Sequence, residues 1–455
     1  MWRCALPPLS RYPTVDELGA RAAALVARRP RDARLRRVGT SRAGSPLWLL
    51  SVGHGSRQAL VVAGPHANEP VGGATVLRVA ERALADPRLC AGADATWNLL
   101  LCLDPDGARR NEAWLSGPYT LGNYFRHFFR PGFLEQPEWL PEGADGATLP
   151  ETRALLDLQD ELRPFLQCSL HGVDVGGAFL ELTRELPGIA QRVAHTATRL
   201  GIPRELGPYD TLYWPSLGPA VYRIPPPRRG DLAAAITEAA VESTWFHPHP
   251  YGTVTAVVEA PMWGVAAVED PAPPADADAV LRAVSHTLRR DTGLLEEILA
   301  RVRPVLGGSP DVARLLAPVD DYLLVGPGLA DSWDPDLRDG GARPLPPLNI
   351  ARLTALRLAG RRVALRTAGL LHQLVTGSGH DPCGVLPELD RLIDEWCADY
   401  RDGCGARWIP VARQVEYQAR VVLAVFDLAG RRARVRSRSG ETGWGSQAAV
   451  PMHRE

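Results

Sequence analysis

Short apolar runs, each stopped by strand-ending residues, constrain this chain more than any other feature. They fall at 47–52, 60–63, 97–103, 165–170, 178–182 and 254–258, with helix-like segments between them near 71–86, 151–163 and 188–200. Runs so largely apolar belong to strands covered on both faces. Such strands alternating with helices give an α/β fold: a mostly parallel or mixed central sheet with helices on both faces. Ahead of the first strand, residues 14–29 form an amphipathic helix, with Thr14 and Glu17 spaced as a capping box.

The character changes near residue 270. The stretch EDPAPPADADAV, with Pro271, Pro273 and Pro274, reads as a linker. Beyond it the chain is rich in Leu, Ala and Arg, with helical periodicity over 278–304, 350–376, 385–400 and 411–428. The expected organisation is an α/β domain over 1–270, a helical C-terminal domain over 276–430 and a loose basic tail over 431–455.

Charge and cysteines exclude some function classes. Lys and Arg total 51 against 52 Asp and Glu, which gives no reason to expect a nucleic-acid or membrane partner. No apolar run approaches the roughly 18 residues of a membrane span, and MWRCALPPLSRYP lacks the apolar core of a secretory signal. Seven cysteines lie scattered without a Cys-x-x-Cys pair, so reduced thiols in a cytoplasmic protein are expected rather than a disulfide framework.

Chemistry collects at the ends of the runs. In ALVVAGPHANEPVGG, Gly64 and Pro65 stop one run and are followed by His66 and Glu69; in FLQCSLHGVD, His171 follows another; in TVTAVVEAPMWG, Glu259 follows a third. Singly, these have ordinary readings: a polar loop, a hydrogen-bonded core histidine, a paired carboxylate. Together they stand at three strand ends, and α/β sheets bind ligands beyond the carboxyl ends of their strands. Two histidines and a glutamate are the ligand set of one class of catalytic zinc site that keeps a position for water. The further glutamate supplies a base.

A fourth motif is Asp104-Pro105-Asp106-Gly107 in LDPDGARRNEAW. The ordered set resembles the M14 zinc carboxypeptidase family, with Asp104 standing where the family carries Asn. The opening YPTVDELGARAAALV and RRVGTSRAGSPLWLLSVG is similar too, so the resemblance covers about 10–265. It implies one Zn2+ per chain on His66, Glu69 and His171, with Glu259 as general base. It also implies one arginine for the scissile carbonyl and another, beside an Asn, for the substrate's terminal carboxylate. Here DGARRN offers Arg109 or Arg110, and GNYFRHFFRP offers Asn123 with Arg126 or Arg130. The family's adjacent Asn-Arg pair is absent; we favour Arg109, and Asn123 with Arg126. The family's mobile tyrosine can be Tyr213, Tyr222 or Tyr251. The implied function is a zinc-dependent metallocarboxypeptidase acting on a peptide or small amide. The alternatives are a zinc amidohydrolase that deacylates an N-acyl amino acid and, more distantly, a non-catalytic binding module.

Overall fold

The structure, a computed structural model, describes residues 9–140, 148–226, 243–337, 344–379, 381 and 384–439. Its strands are β1 (Ala33–Thr40), β2 (Pro46–Val52), β3 (Arg57–Ala63), β4 (Ala95–Leu100), β5 (Leu166–Gly176), β6 (Phe179–Leu182), β7 (Ser216–Gly218), β8 (Val221–Arg223), β9 (Val254–Gly264) and β10 (Arg407–Trp408). They join in one mixed sheet of order β1-β2-β4-β3-β5-β9-β6-β8-β7, with β10 added to β9. The centre, β4-β3-β5-β9, is parallel; β2 and β6 flank it antiparallel.

The helices are α1 (Val15–Arg28), α2 (Val71–Ala85), α3 (Pro105–Arg110), α4 (Leu121–Arg126), α5 (Pro150–Leu162) and α6 (Ile189–Leu200), then α7 (Ala277–Val302), α8 (Pro310–Trp333), α9 (Ile350–Gly377), α10 (Leu386–Ala398) and α11 (Val411–Ser439). The capping box at Thr14 and Glu17 is formed as its spacing predicts. The expected α/β fold with a helical C-terminal region is the fold observed.

Two strands run further than their apolar residues suggest. His171 and Glu259 lie in the middle of β5 and β9, not at their ends. The reason is mutual pairing: β5 and β9 stay in register from Leu166↔Val254 to Gly176↔Gly264, so a polar residue interrupts the run without ending the strand. The strand that does end is β3. Its last residue, Ala63, pairs with Leu170, which makes His171 the first residue of β5 beyond its neighbour.

Side chains alternate between the faces of a strand, and here the faces differ in chemistry. One carries Cys168, Leu170, Val258 and Leu180 into an apolar core with α2, α6 and α11. The other carries Ser169, His171, Glu181 and Glu259. Against that second face, α5 packs Leu155 and Leu158 on β3 and β4.

The segment at 271–276 leads into α7, yet the last helix returns to the sheet. Tyr417, Val421, Val425 and Phe426 of α11 share the sheet's apolar core, and Phe426 stacks on Trp97 with ring centroids 4.3 Å apart. Gln418 donates from Nε2 to the carbonyls of His171 and Val258, at 2.6 and 3.0 Å. Helix α9 meanwhile approaches α4 so closely that a Cβ on Gly369 would collide with the carbonyl of Phe125. Residues 431–439 continue α11, and the rest of the expected tail, 440–455, lies outside the described residues.

Truncating a buried aromatic ring costs about 3–5 kcal/mol. Phe426→Ala should therefore lower the free energy of unfolding by about that much in a urea titration. A loss below about 1 kcal/mol would mean that α11 does not belong to the sheet's core.

Candidate active site

The site begins where β3 stops. Gly64 takes φ +59, and a Cβ there would stand 2.8 Å from Cys102 Sγ, so glycine alone turns the chain without strain. The turn that follows is closed by the Glu69 amide donating to the His66 carbonyl at 3.2 Å, and α2 starts two residues later. Asn111, just past the Asp-Pro-Asp-Gly motif, pins this turn. It donates to the carbonyls of Ala67 and Phe129, at 3.0 and 2.8 Å, and accepts from the Phe129 amide.

His66, Glu69 and His171 converge. His66 Nδ1 is 3.0 Å from Glu69 Oε1 and 3.1 Å from His171 Nδ1, which is 3.2 Å from Glu69 Oε2. All three residues are buried, and among the described residues they are the group placed to hold a metal ion. Ligands bound 2.0–2.1 Å from a tetrahedral ion stand about 3.3 Å apart, close to the spacing seen here. Protonation tells the same story. Burial, then Arg130, pushes His66 down to about 4. Burial also opposes charge on His171, but Glu138 and Glu69 outweigh it and hold its pKa well above the ordinary value. Burial likewise opposes charge on Glu69, yet the two imidazoles outweigh it and hold that carboxyl well below the usual range. A positive charge belongs at this point, and the donor set of two imidazoles and a carboxylate suits zinc.

Glu259 is the register partner of His171, its Oε1 3.9 Å from His171 Nδ1. Burial pushes its pKa well up against the opposing pull of His171, and its Oε2 is buried without a hydrogen-bond partner. Behind the histidines lies Glu138, a residue that sequence reasoning missed. Its carboxylate is 3.2 Å from His171 Nε2 and 3.6 Å from His66 Nε2, and it accepts from Ser169 Oγ at 2.8 Å and from Trp245 Nε1. A carboxylate on the far nitrogen of His171 orients that ring so that its Nδ1 faces the metal position. Nothing in QPEW marks this glutamate: residues 136–139 lie outside the named helices and strands, and its partners lie more than 30 residues away.

The favoured arginines are elsewhere. Arg109 pairs with Asp16 at 2.7 Å on the surface, and Arg126 reaches out to Asp390 and Asp394 at 2.8 and 2.9 Å. Asn123 is spent on the carbonyl of Pro118. The cause is helix phase: α4 turns Leu121, Tyr124 and Phe125 inward, which leaves Asn123 and Arg126 outside. Arg130, in the extended segment after α4, does line the cavity at the metal group, with Nη1 3.4 Å from Glu69 Oε1 and Nε 3.1 Å from Gln136 Oε1. Tyr213, Tyr222 and Tyr251 all stay out of that cavity; Tyr209 and Tyr322 line it instead.

The cavity measures about 270 Å³, and its far wall comes from beyond residue 270. Helix α8 contributes Tyr322, and α9 contributes Arg362 and Arg366. Arg366 is buried and bonds Asp174 of β5 at 2.8 Å; the other oxygen of Asp174 accepts from Tyr124 Oη and Asn68 Nδ2, at 2.6 and 3.2 Å. Asn68 lies inside the His66–Glu69 turn, so one buried network joins metal loop, sheet and C-terminal helices.

Residues 20–176 match the Peptidase_M14 family, described as zinc carboxypeptidase. The chain carries a zinc carboxypeptidase segment. Within that segment His66, Glu69 and His171 are the group that could hold the family's single zinc ion. The zinc carboxypeptidase match includes Glu138 and stops short of Glu181, Glu259 and the helices of the cavity wall. No curated protein matches the chain. Among solved structures it is similar to carboxypeptidase A from Helicoverpa armigera, at 15% identity and TM-score 0.35, covering 55% of this chain and 65% of that one. It is similar to a metallo-carboxypeptidase from Burkholderia cenocepacia at the same identity and score, covering 55% and 60%. A third is bovine thrombin-activatable fibrinolysis inhibitor in complex with tick carboxypeptidase inhibitor, at 11% identity and TM-score 0.36, covering 55% and 86%.

Groups that orient metal-bound histidines are worth about 10–100-fold in metal affinity. Glu138→Gln should weaken zinc binding by that factor in competition with a chelator, while Arg109→Ala and Arg126→Ala leave it unchanged. Undiminished affinity in Glu138→Gln would remove Glu138 from the support of the site.

Proposed function

We propose that the protein is a zinc-dependent metallocarboxypeptidase that hydrolyses the C-terminal bond of a peptide. The observation carrying this reading is the Glu259 carboxylate beside the His66, Glu69 and His171 group, inside one cavity. His66, Glu69 and His171 would hold the zinc, which when bound would lower the pKa of a water and polarise the scissile carbonyl. Glu259 accepts the proton of the attacking water and returns it to the leaving amine. Arg130 stands over the metal group, where fixed positive charge favours the developing oxyanion.

Arg362 is our candidate for the substrate's free carboxylate. Its contacts with Asp210 are long, 3.3–3.5 Å, so its planar fork retains capacity for a better-matched carboxylate. One observation supports a second reading. Asn123 and Arg126, which resemblance offered as the carboxylate clamp, face away from the cavity. A zinc amidohydrolase of N-acyl amino acids on the same scaffold needs no peptide-length clamp. Release of a C-terminal residue from a blocked peptide separates the two. No described helix is long and apolar enough to cross a membrane. Placement in the reducing cytoplasm is part of the proposal, supported by free thiols at Cys90, Cys102, Cys168, Cys397 and Cys404.

A general base contributes about 10²–10⁴-fold to turnover. Glu259→Gln should retain zinc and near-normal KM while kcat falls at least about 100-fold. Near-normal turnover would end the general-base assignment, and loss of zinc would make Glu259 a ligand.

A further inference from the structure

The cavity is roofed by a helix that the family match does not reach. Helix α8 lines it from Pro318 to Leu329, about 16 Å of helix. Three contacts tie this roof down. Arg110 of α3 pairs with Asp311 at 3.0 Å, the Phe133 amide donates to Asp321 Oδ2 at 2.7 Å, and Arg366 Nη1 donates to Tyr322 Oη at 3.3 Å. The seam is tight: a Cβ on Gly132 would stand 3.1 Å from Asp321 Oδ2 and 3.3 Å from Ala317 Cβ. Among the described residues that line the cavity, Leu324 alone is exposed. We infer that α8 and the Phe133 and Trp139 rings limit the site to short substrates, with one residue and a small acyl cap before the scissile bond; this rests on the metallocarboxypeptidase reading.

Position supports it first. Phe133 stacks on Trp139 with ring centroids 5.3 Å apart, and Trp139 stands 6.4 Å from the His66 ring. The bond from Phe133 to Asp321 joins that stack to the roof. With the terminal carboxylate on Arg362 of α9, the residues before the scissile bond run past the metal group and away from α9. An extended chain advances about 3.3–3.6 Å per residue. A capped residue therefore fits on the near side of the stack, and a longer chain meets the rings.

Size supports it second. The cavity's 270 Å³ falls below the roughly 300–1,000 Å³ of pockets that hold drug-sized ligands. A peptide of several residues needs either more room or an open side, and the roof occupies that side. Chemistry agrees with a cap. Phe133 and Trp139, with Val325 of α8, offer apolar surface to an acyl group, whereas a peptide continuing there would bury amides against aromatic rings.

The test is calorimetric titration of the zinc-loaded full chain with two probes, acetyl-Ala-X and acetyl-pentaalanyl-X, where X is Leu, Phe, Lys or Glu. Their last amide is replaced by a ketomethylene, so that neither is consumed. Exclusion by a built clash predicts that, for the X that binds best, the short probe binds at least about 10-fold more tightly. Phe133→Ala opens the stack and should bring the two within about threefold with zinc content retained, and the milder Phe133→Leu should move the ratio the same way. Equal binding of the two probes by the native protein, a preference for the longer one, or no binding of either overturns the inference, as does a ratio that neither variant moves. The corresponding unmodified peptides separate this result from the activity. If the short probe is preferred but no peptide releases X, the carboxypeptidase reading fails and the size limit stands. If both lengths release X equally well, the size limit fails and the carboxypeptidase reading stands.

Discussion

The parallel pairing of β5 with β9 is the constraint on which the site depends. It sets His171 beside Glu259, one residue past the end of β3. Because β3 stops at Ala63, the strands beside it are open on that side, and the turn from His66 to Glu69 fills the opening. The same register puts Gln167, Ser169, His171, Thr255 and Glu259 on one face. The opposite face is then free to be apolar, and α2, α6 and α11 cover it. A shift of one residue between these strands would send His171 and Glu259 to opposite faces.

The helices beyond residue 270 are more than an appendage. Arg366 bonds Asp174, both almost fully buried, across 192 residues of sequence. Breaking such a pair leaves an uncompensated charge in the interior, so its cost is high even where its net contribution to stability is small. Through Tyr124 and Asn68, the pair also fixes the turn that carries His66 and Glu69. Gln418 of α11 caps the His171 carbonyl from the other face. The metal group is thus held between two layers, one of which the family resemblance does not reach.

The fold class was legible in the apolar runs, because burial on both faces is written directly into composition. His66, Glu69, His171 and Glu259 were legible because a polar residue that interrupts such a run must have a partner or a purpose. Their strand positions were not. Whether β5 and β9 continue past the polar residue depends on their pairing, a long-range property. The arginines failed for a local reason. Four candidates stand close together in sequence, Arg109 and Arg110 in α3, Arg126 in α4 and Arg130 in the extended segment after it, and the phase of α4 turns Arg126 outward. Glu138, Arg362 and Arg366 reach the site from a coil and a distant helix, and no spacing rule connects them to His66.

The account rests on two imidazoles and a carboxylate holding a zinc ion. The most direct measurement is zinc content with X-ray absorption at the zinc edge, on protein purified under metal-replete conditions. The prediction is about one zinc per chain, bound by nitrogen and oxygen donors at about 2.0–2.2 Å with no sulfur in the shell. A protein without zinc, or one whose zinc shows sulfur at about 2.3 Å, would contradict it.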